Sequence, residues 1–323
     1  MIFMDFNIFF GILTNSILPI FILVSLGFAL DKKFNLDINA LTKLNFYLFV
    51  PAFSFVNIFT VDITVDLAKI LVLAVLMLPL NYAAGFLLAR LLKLPKKTGK
   101  AFENSLMFYN SGNIGISLVT LVFTNAPFAD GASAPFLEAA LAVQVMVLLV
   151  QNFSTNTLGF INSGGEGINV KTGVVRVLKM PVPYAIACAI LFKFLPFDFS
   201  STPFWPSLSY LRNGLVGVAL STLGVQLAKS RLDLKKATPY IAALFRLVGG
   251  PALAFALIKI FKLEGVAAKA FFISAATPTA VNTALLSVEC GGDVDFAVQA
   301  VTISTLLSAL TMTAAVYLAH AFL

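Results

Sequence analysis

The feature that most constrains this chain is a succession of apolar blocks, each about as long as a bilayer is thick. Ten can be marked in the 323 residues, at 9–30, 38–59, 67–92, 101–124, 134–158, 174–195, 204–228, 237–261, 265–289 and 295–320. A hydrocarbon core takes roughly 20 helical residues to cross, and a barrel strand about half that. Composition points the same way, with 59% of residues hydrophobic and 11% charged, against roughly a quarter charged in soluble domains. Such a chain cannot cover a water-facing surface, so the lipid bilayer is its expected solvent. The expected fold class is an all-α polytopic membrane protein with ten transmembrane helices.

The net charge of +7 reads as topology. Lys and Arg fall at block ends and form no basic patch interleaved with aromatics, so no nucleic acid is expected as a partner. With the N-terminus outside, the cytoplasmic connections hold fifteen basic residues: Lys32, Lys33, Lys43, Arg90, Lys93, Lys96, Lys97, Lys100, Lys171, Arg176, Lys179, Lys229, Arg231, Lys235 and Lys236. The outer connections hold five, Lys69, Lys193, Lys259, Lys262 and Lys269. The ninth connection departs from the pattern, with Glu289, Asp293 and Asp295 and no base. Both termini are expected outside, in the inner (plasma) membrane of a cell. The opening MIFMDFN lacks the basic region of a signal peptide, so the first block is expected to remain as a span.

An internal repeat divides the chain. A shift of 169 residues superposes Lys93, Leu94, Lys100, Ala101, Phe102, Ser105 and Asn113 on Lys262, Leu263, Lys269, Ala270, Phe271, Ser274 and Asn282. Ala142, Val143 and Gln144 match Ala297, Val298 and Gln299 at a shorter offset. The polar, Gly-rich stretch 162–173 reads as a cytoplasmic linker between a first five-helix repeat, 1–161, and a second, 174–323. An odd number of spans inverts the second copy, which is the architecture of many secondary transporters.

Two blocks are interrupted at equivalent places, by YNSGN at 109–113 and by TPTAVN at 277–282. Unpaired backbone groups in hydrocarbon cost several kcal/mol each, so such breaks persist only where protein or a water-filled cavity satisfies them. Asn110, Ser111, Gly112 and Asn113 combine carboxamides with a permissive glycine, and Pro278 removes a donor and disfavours helix at Thr277. Thr279 and Asn282 are expected to cap the restarted helix. Two such helices crossed near the midplane would aim half-helix N-termini at one point, which suits an anion, with Asn113 and Asn282 donating to a carboxylate.

Other polar residues within the blocks each have two readings. Arg246 and Arg212 each either contact a substrate carboxylate or meet a structural partner, such as Glu103, Glu138 or a helix C-terminus, and Glu103 and Glu138 are the carboxylates that proton coupling could use. Gln144 and Gln299 either close the polar site or a coupling-ion site, or bond between helices. Cys188 and Cys290 read as packing residues, and His320 as interfacial. No His pair, Asp-rich metal motif or activated nucleophile lies at depth, so neither an enzyme nor a metal or other cofactor is expected.

The segments MFYNSGNIGISLV at 107–119 and AATPTAVNTALL at 275–286 resemble the two signature breaks of the auxin efflux carrier family, and the resemblance covers essentially the whole chain. It implies an elevator-type carrier in which spans 1, 2, 6 and 7 form a scaffold, often a homodimer. Spans 3–5 and 8–10 would carry the crossed helices, with Asn113, Pro278 and Asn282 at the crossing. Ser111 and Gly112 stand where the plant exporters have a proline, and only the linker near Gly165 replaces their long loop. Auxin is therefore not carried over as the substrate. The expected function is transport of a small organic anion, by uniport or with sodium or proton coupling. A cation exchanger on the same architecture would place Asp or Glu at the crossing, and a membrane sensor would bind without flux.

Overall fold

The computed structural model describes residues 5–62, 64–130, 133–164, 178–196, 198–230 and 236–323, with residues 171, 173 and 175 singly. Residues 165–170 of the expected linker, and Arg176, Arg231 and Lys235 of the expected basic loops, lie outside the described residues.

Helices α1 (Phe6–Phe34), α2 (Ile38–Thr60) and α3 (Val65–Leu91) come first. They are followed by α4 (Lys96–Met107), α5 (Ser111–Phe123) and α6 (Leu137–Ser163). The second half holds α7 (Pro181–Lys193), α8 (Phe204–Ala228) and α9 (Ala237–Ile260), then α10 (Gly265–Ala275), α11 (Asn282–Glu289) and α12 (Val294–Phe322). Extended pairing among the described residues is confined to isolated bridges, so the fold is all-helical.

Among the described residues six helices, α1, α2, α3, α6, α9 and α12, are long and apolar enough to cross a membrane. The other expected spans are built differently. The pairs α4/α5 and α10/α11 are each one span's length broken at the expected residues, α7 has only 13 residues, and α8 is long but carries Arg212 and Asn213 among its apolar positions. Large apolar side chains such as Ile22, Leu26, Val72, Leu87, Leu191 and Leu310 point outward, as a lipid-facing surface requires.

Proline shapes three of the long helices in one way. A five-residue π-helical turn ends two residues before Pro19, Pro51 and Pro251, at 13–17, 45–49 and 245–249. Proline offers no N–H and its ring presses on the carbonyl four residues back, so the helix widens there instead of keeping its tight ladder. These turns carry Asn45 and Arg246 inward, where both are buried.

Helices α1 and α8 meet backbone to backbone. A Cβ on Gly27 would lie 2.2 Å from the Ser221 carbonyl oxygen, and one on Gly224 would lie 2.0 Å from that of Val24. Small residues at such contacts let helices associate through van der Waals packing where lipid offers no hydrophobic drive. Helix α7 packs against α2, which completes a four-helix group.

The ends of α3 and α9 repeat one another. Lys93 and Lys262 both take left-handed φ, 51° and 49°. The amides behind them close the same loop, Leu94 N–H to the Ala89 carbonyl and Leu263 N–H to the Ile258 carbonyl, each at 3.0 Å. Leu94, Lys93 and Ala89 are 169 residues before their counterparts, so the sequence repeat is matched by a shared C-cap geometry.

Candidate functional site

The two breaks meet as short extended segments. Tyr109 and Thr279 form an isolated antiparallel bridge, in which Asn110 N–H donates to the Pro278 carbonyl at 2.7 Å and Ala280 N–H to the Phe108 carbonyl at 3.0 Å. The chain thus satisfies each interrupted helix with the other. Thr279 adds two links: its N–H donates to Ser304 Oγ at 3.2 Å and its hydroxyl to the Ser105 carbonyl at 3.0 Å. Thr277 bonds locally, its hydroxyl donating to the Ser274 carbonyl at 2.8 Å.

Four helix ends converge here, two positive and two negative. The negative ends belong to α4 and α10, and one side chain serves both. Arg246 is fully buried in the π turn of α9, with Nη1 donating to the Leu106 carbonyl at 2.9 Å and Nη2 to the Ala275 carbonyl. Leu106 and Ala275 are separated by the repeat interval of 169. The guanidinium also lies over the Tyr109 ring, 4.9 Å from its centroid. Helix C-termini favour a cation by up to about 2 kcal/mol in partly buried geometries, and here two of them stand in for a carboxylate.

The positive ends belong to α5 and α11. Asn110 caps α5, its Oδ1 accepting from Asn113 N–H at 3.1 Å and Ile114 N–H at 3.5 Å. Helix α11 has no side-chain cap, because the Thr279 hydroxyl is turned to Ser105 and Asn282 is the helix's own first residue. The expected capping of this restart by Thr279 and Asn282 is therefore corrected. Among the described residues, the amides of Gly112, Val281 and Asn282 find no acceptor.

These amides border a cavity of about 50 Å³, lined by Asn110, Ser111, Gly112, Asn113, Ala280, Val281 and Asn282 from the breaks. Helix α6 adds Gln151, α2 adds Asn45, and α8 adds Gln226. Gln151 Oε1 accepts from Tyr109 N–H at 3.2 Å, which fixes the carboxamide and leaves its Nε2 buried without a partner. Asn110 is held the same way by the two amides it caps, and its Nδ2 is also buried and unpaired. Residues that carry two unpaired NH₂ groups and three free amides thus line one small space.

The cavity continues to one end of the molecule. It shares Asn152, Thr155 and Asn282 with a basin of about 310 Å³ that reaches Lys43 and Glu289. It shares Gln226 and Val281 with another of about 410 Å³ that reaches Lys229 and Asp295. Toward the opposite end, hydrogen bonds link α2, α6 and α8. Arg212 Nη2 donates to Glu138 Oε1 at 3.0 Å and to Asn57 Oδ1 at 2.8 Å, and the Thr60 hydroxyl donates to Glu138 Oε2 at 2.7 Å.

The structure therefore brings together Asn110, Ser111, Gly112, Asn113 and Asn282, with Pro278 and Thr279 forming the frame behind them. It places Arg246 behind the crossing and Arg212 toward the opposite end, beside Glu138. Gln144 donates to the Ser111 carbonyl at 2.6 Å, Gln299 is buried in α12, and Glu103 pairs with Lys100 at 3.0 Å. The sequence reading missed Gln151, Asn45 and Gln226. Gln151 had a signal, since it follows Gln144 by two helical turns on the same face of an apolar helix. Asn45 and Gln226 are not the only amides in their segments, which also hold Asn39, Asn57 and Asn213, and nothing in the spacing singled them out.

The family described as membrane transport protein matches residues 12–316. An uncharacterized transporter of Methanothermobacter thermautotrophicus is 24% identical over 312 residues, covering 93% of this chain and 96% of the relative. One of Methanocaldococcus jannaschii is 25% identical over 205 residues, covering 61% of this chain and 66% of the relative.

Proposed function

Because the chain belongs to the membrane transport protein family, that of the auxin efflux carriers, whose members are transporters and not enzymes, we propose that it carries a small organic anion bound at the helix crossing. One observation carries this reading: Asn110 Nδ2 and Gln151 Nε2 are buried, oriented and unpaired beside the free amides of two half-helix N-termini. Leaving a buried donor unmade costs about 1–3 kcal/mol, and a carboxylate answers several at once. Among the described lining residues there is no Asp or Glu, which disfavours a bare cation.

Movement follows from how the molecule divides. In this reading the helices form ten spans as two inverted five-span repeats, with both termini outside the inner membrane. Helices α1, α2, α7 and α8 are the scaffold, which pairs with a second copy, and the rest move as one bundle. The substrate's donors sit on the bundle, and Arg246 ties the bundle's broken helices into one body. The present arrangement opens toward Lys43 and Lys229, the cytoplasmic side by charge. Exposure on the other side requires the Arg212–Glu138 and Thr60–Glu138 contacts between scaffold and bundle to part. The repeat makes the two states similar in energy, because the halves exchange roles.

Thermal unfolding of the purified protein with a panel of small carboxylates tests the reading, since a ligand of the native state raises its apparent stability. Carboxylates are expected to stabilise the native protein and to lose that effect in Gln151→Leu. Stabilisation by sodium alone, with every carboxylate silent, would overturn it.

A further inference from the structure

Outside the crossing, an apolar pocket on the surface of the molecule runs up to two cations. The pocket, of about 380 Å³, lies between α3 and α6, with Val75, Pro79 and Tyr82 on one side, Leu158 and Ile161 on the other, and Met107 of α4 behind them. Val75 and Leu158 are half-exposed, on a surface where Val72 and Leu87 of α3 also point outward. The pocket therefore opens sideways, into the bilayer, and its volume is that of a small-molecule site.

One end of the pocket is basic. Lys100 Nζ lies 6.0 Å from the centroid of the Tyr82 ring. It is held there by donating to Glu103 Oε2 at 3.0 Å and to Asn162 Oδ1 at 2.9 Å, while Asn162 Nδ2 donates to Asn104 Oδ1. An ammonium has three donors, so one is left over, and the Lys100 side chain keeps 32% of its exposure. Along α3 the Tyr82 ring stacks on Phe86, and the Arg90 guanidinium lies 4.2 Å from the Phe86 centroid. Among the described residues no acid pairs with the exposed Arg90. Tyr82, Phe86 and Arg90 recur at intervals of four, which is one stripe of the helix.

Depth identifies what fits both ends. At 1.5 Å per residue, Tyr82 lies about 12 Å and Val75 about 22 Å along the axis from Arg90. Half of the hydrocarbon core is about 15 Å thick. A lipid whose headgroup meets Arg90 and Lys100 thus lays a chain over Phe86 and Tyr82 and ends it in the pocket, near the middle of the bilayer. A zwitterionic headgroup brings a cation of its own to these bases, whereas an anionic one does not, and basic pockets between transmembrane helices hold anionic headgroups. We infer that the groove between α3 and α6 is a binding site for an anionic phospholipid of the leaflet facing the basic connections, with one acyl chain in the pocket and the phosphate at Arg90 and Lys100.

The test reads the lipid at the groove itself. The chain has one tryptophan, Trp205. Trp205→Phe with Tyr82→Trp therefore puts a single indole in the groove, and Trp205→Phe with Leu310→Trp puts one on an outward-facing position of α12. Each full chain is reconstituted into phosphatidylcholine vesicles holding the same fraction of brominated phosphatidylglycerol or brominated phosphatidylcholine, whose bromines quench a neighbouring indole. Phosphatidylglycerol is expected to be favoured at least about fivefold at the groove, the factor that one basic residue contributes beside an anionic lipid, and to show a ratio near one at α12. Adding Arg90→Gln is expected to lower the groove ratio by about the same factor; Arg90 is changed instead of Lys100 because Lys100 also answers the buried Glu103. A groove ratio near one, equal ratios at the two positions, or a groove ratio unmoved by Arg90→Gln overturns the inference. So does an indole in the groove that neither lipid quenches, which would mean that protein covers it. None of these outcomes bears on the anion reading of the crossing.

Discussion

The surroundings of the two arginines within the helices differ in a way that separates what is fixed in this molecule from what can be released. Arg246 is wholly buried, meets no acid among the described residues, and holds the carbonyl ends of α4 and α10, two parts of the same proposed bundle. Arg212 is partly exposed and meets Glu138, whose side chain is 50% exposed, across the boundary between the proposed scaffold and bundle. A charge stored inside one body costs several kcal/mol to disturb, whereas a half-exposed ion pair is worth only about 0–1 kcal/mol. In the proposed mechanism, small energies suit the contact that would break in each cycle, and large ones suit the contact that would not.

The largest effect is expected from Arg246→Met, which leaves two half-helix C-termini unpaired beneath the crossing. A loss of about 3–5 kcal/mol is expected, by analogy with breaking a buried charged pair, read as a drop in thermal midpoint in detergent. A loss below about 1 kcal/mol would place Arg246 with Arg212 and erase the comparison. Next comes Gly250→Ala, since a Cβ there would lie 1.7 Å from Arg246 Nη2. Overpacking of this kind costs about 1–3 kcal/mol, and the same midpoint measurement should place it between the native protein and Arg246→Met.

Asn110→Ala removes the cap of α5 and one donor of the cavity together. Loss of an N-cap costs about 1 kcal/mol, so a modest fall in midpoint is expected alongside a larger loss of carboxylate-induced stabilisation. The smallest effect on stability should come from Arg212→Met, within about 1 kcal/mol. Its effect should appear instead in accessibility: a cysteine at Thr60 is expected to react faster with a water-soluble maleimide in Arg212→Met than in the otherwise native background. Equal rates in the two backgrounds would show that the Arg212–Glu138 contact does not hold that end closed.

Much of the site was legible because the breaks announce themselves. Polar and helix-breaking residues inside an apolar block are costly, so Asn110–Asn113 and Thr277–Asn282 could be located, related by the repeat and assigned to one crossing. The donors that complete the cavity were harder to see. Gln151 is one of several amides in α6, and only its bond to Tyr109 N–H, which occupies its oxygen and leaves its NH₂ unpaired, marks it out. Arg246 illustrates the opposite limit, where the residue was conspicuous but its partner was not. Both a substrate and a helix C-terminus answer a buried guanidinium, and spacing along the chain does not choose between them.

What the sequence determined by itself was the solvent, the all-helical class, the family and the places where two helices break, because each depends on composition or on spacing along the chain. The tertiary structure decided which side chain caps which helix end, which carbonyls hold Arg246, and which amides are left facing a shared cavity. Those outcomes depend on residues far apart in sequence arriving within about 3 Å of one another, as Arg246 does at Leu106 and Asn45 at Asn113. Hydrogen bonds fade steeply beyond such distances, and only the packed fold sets them.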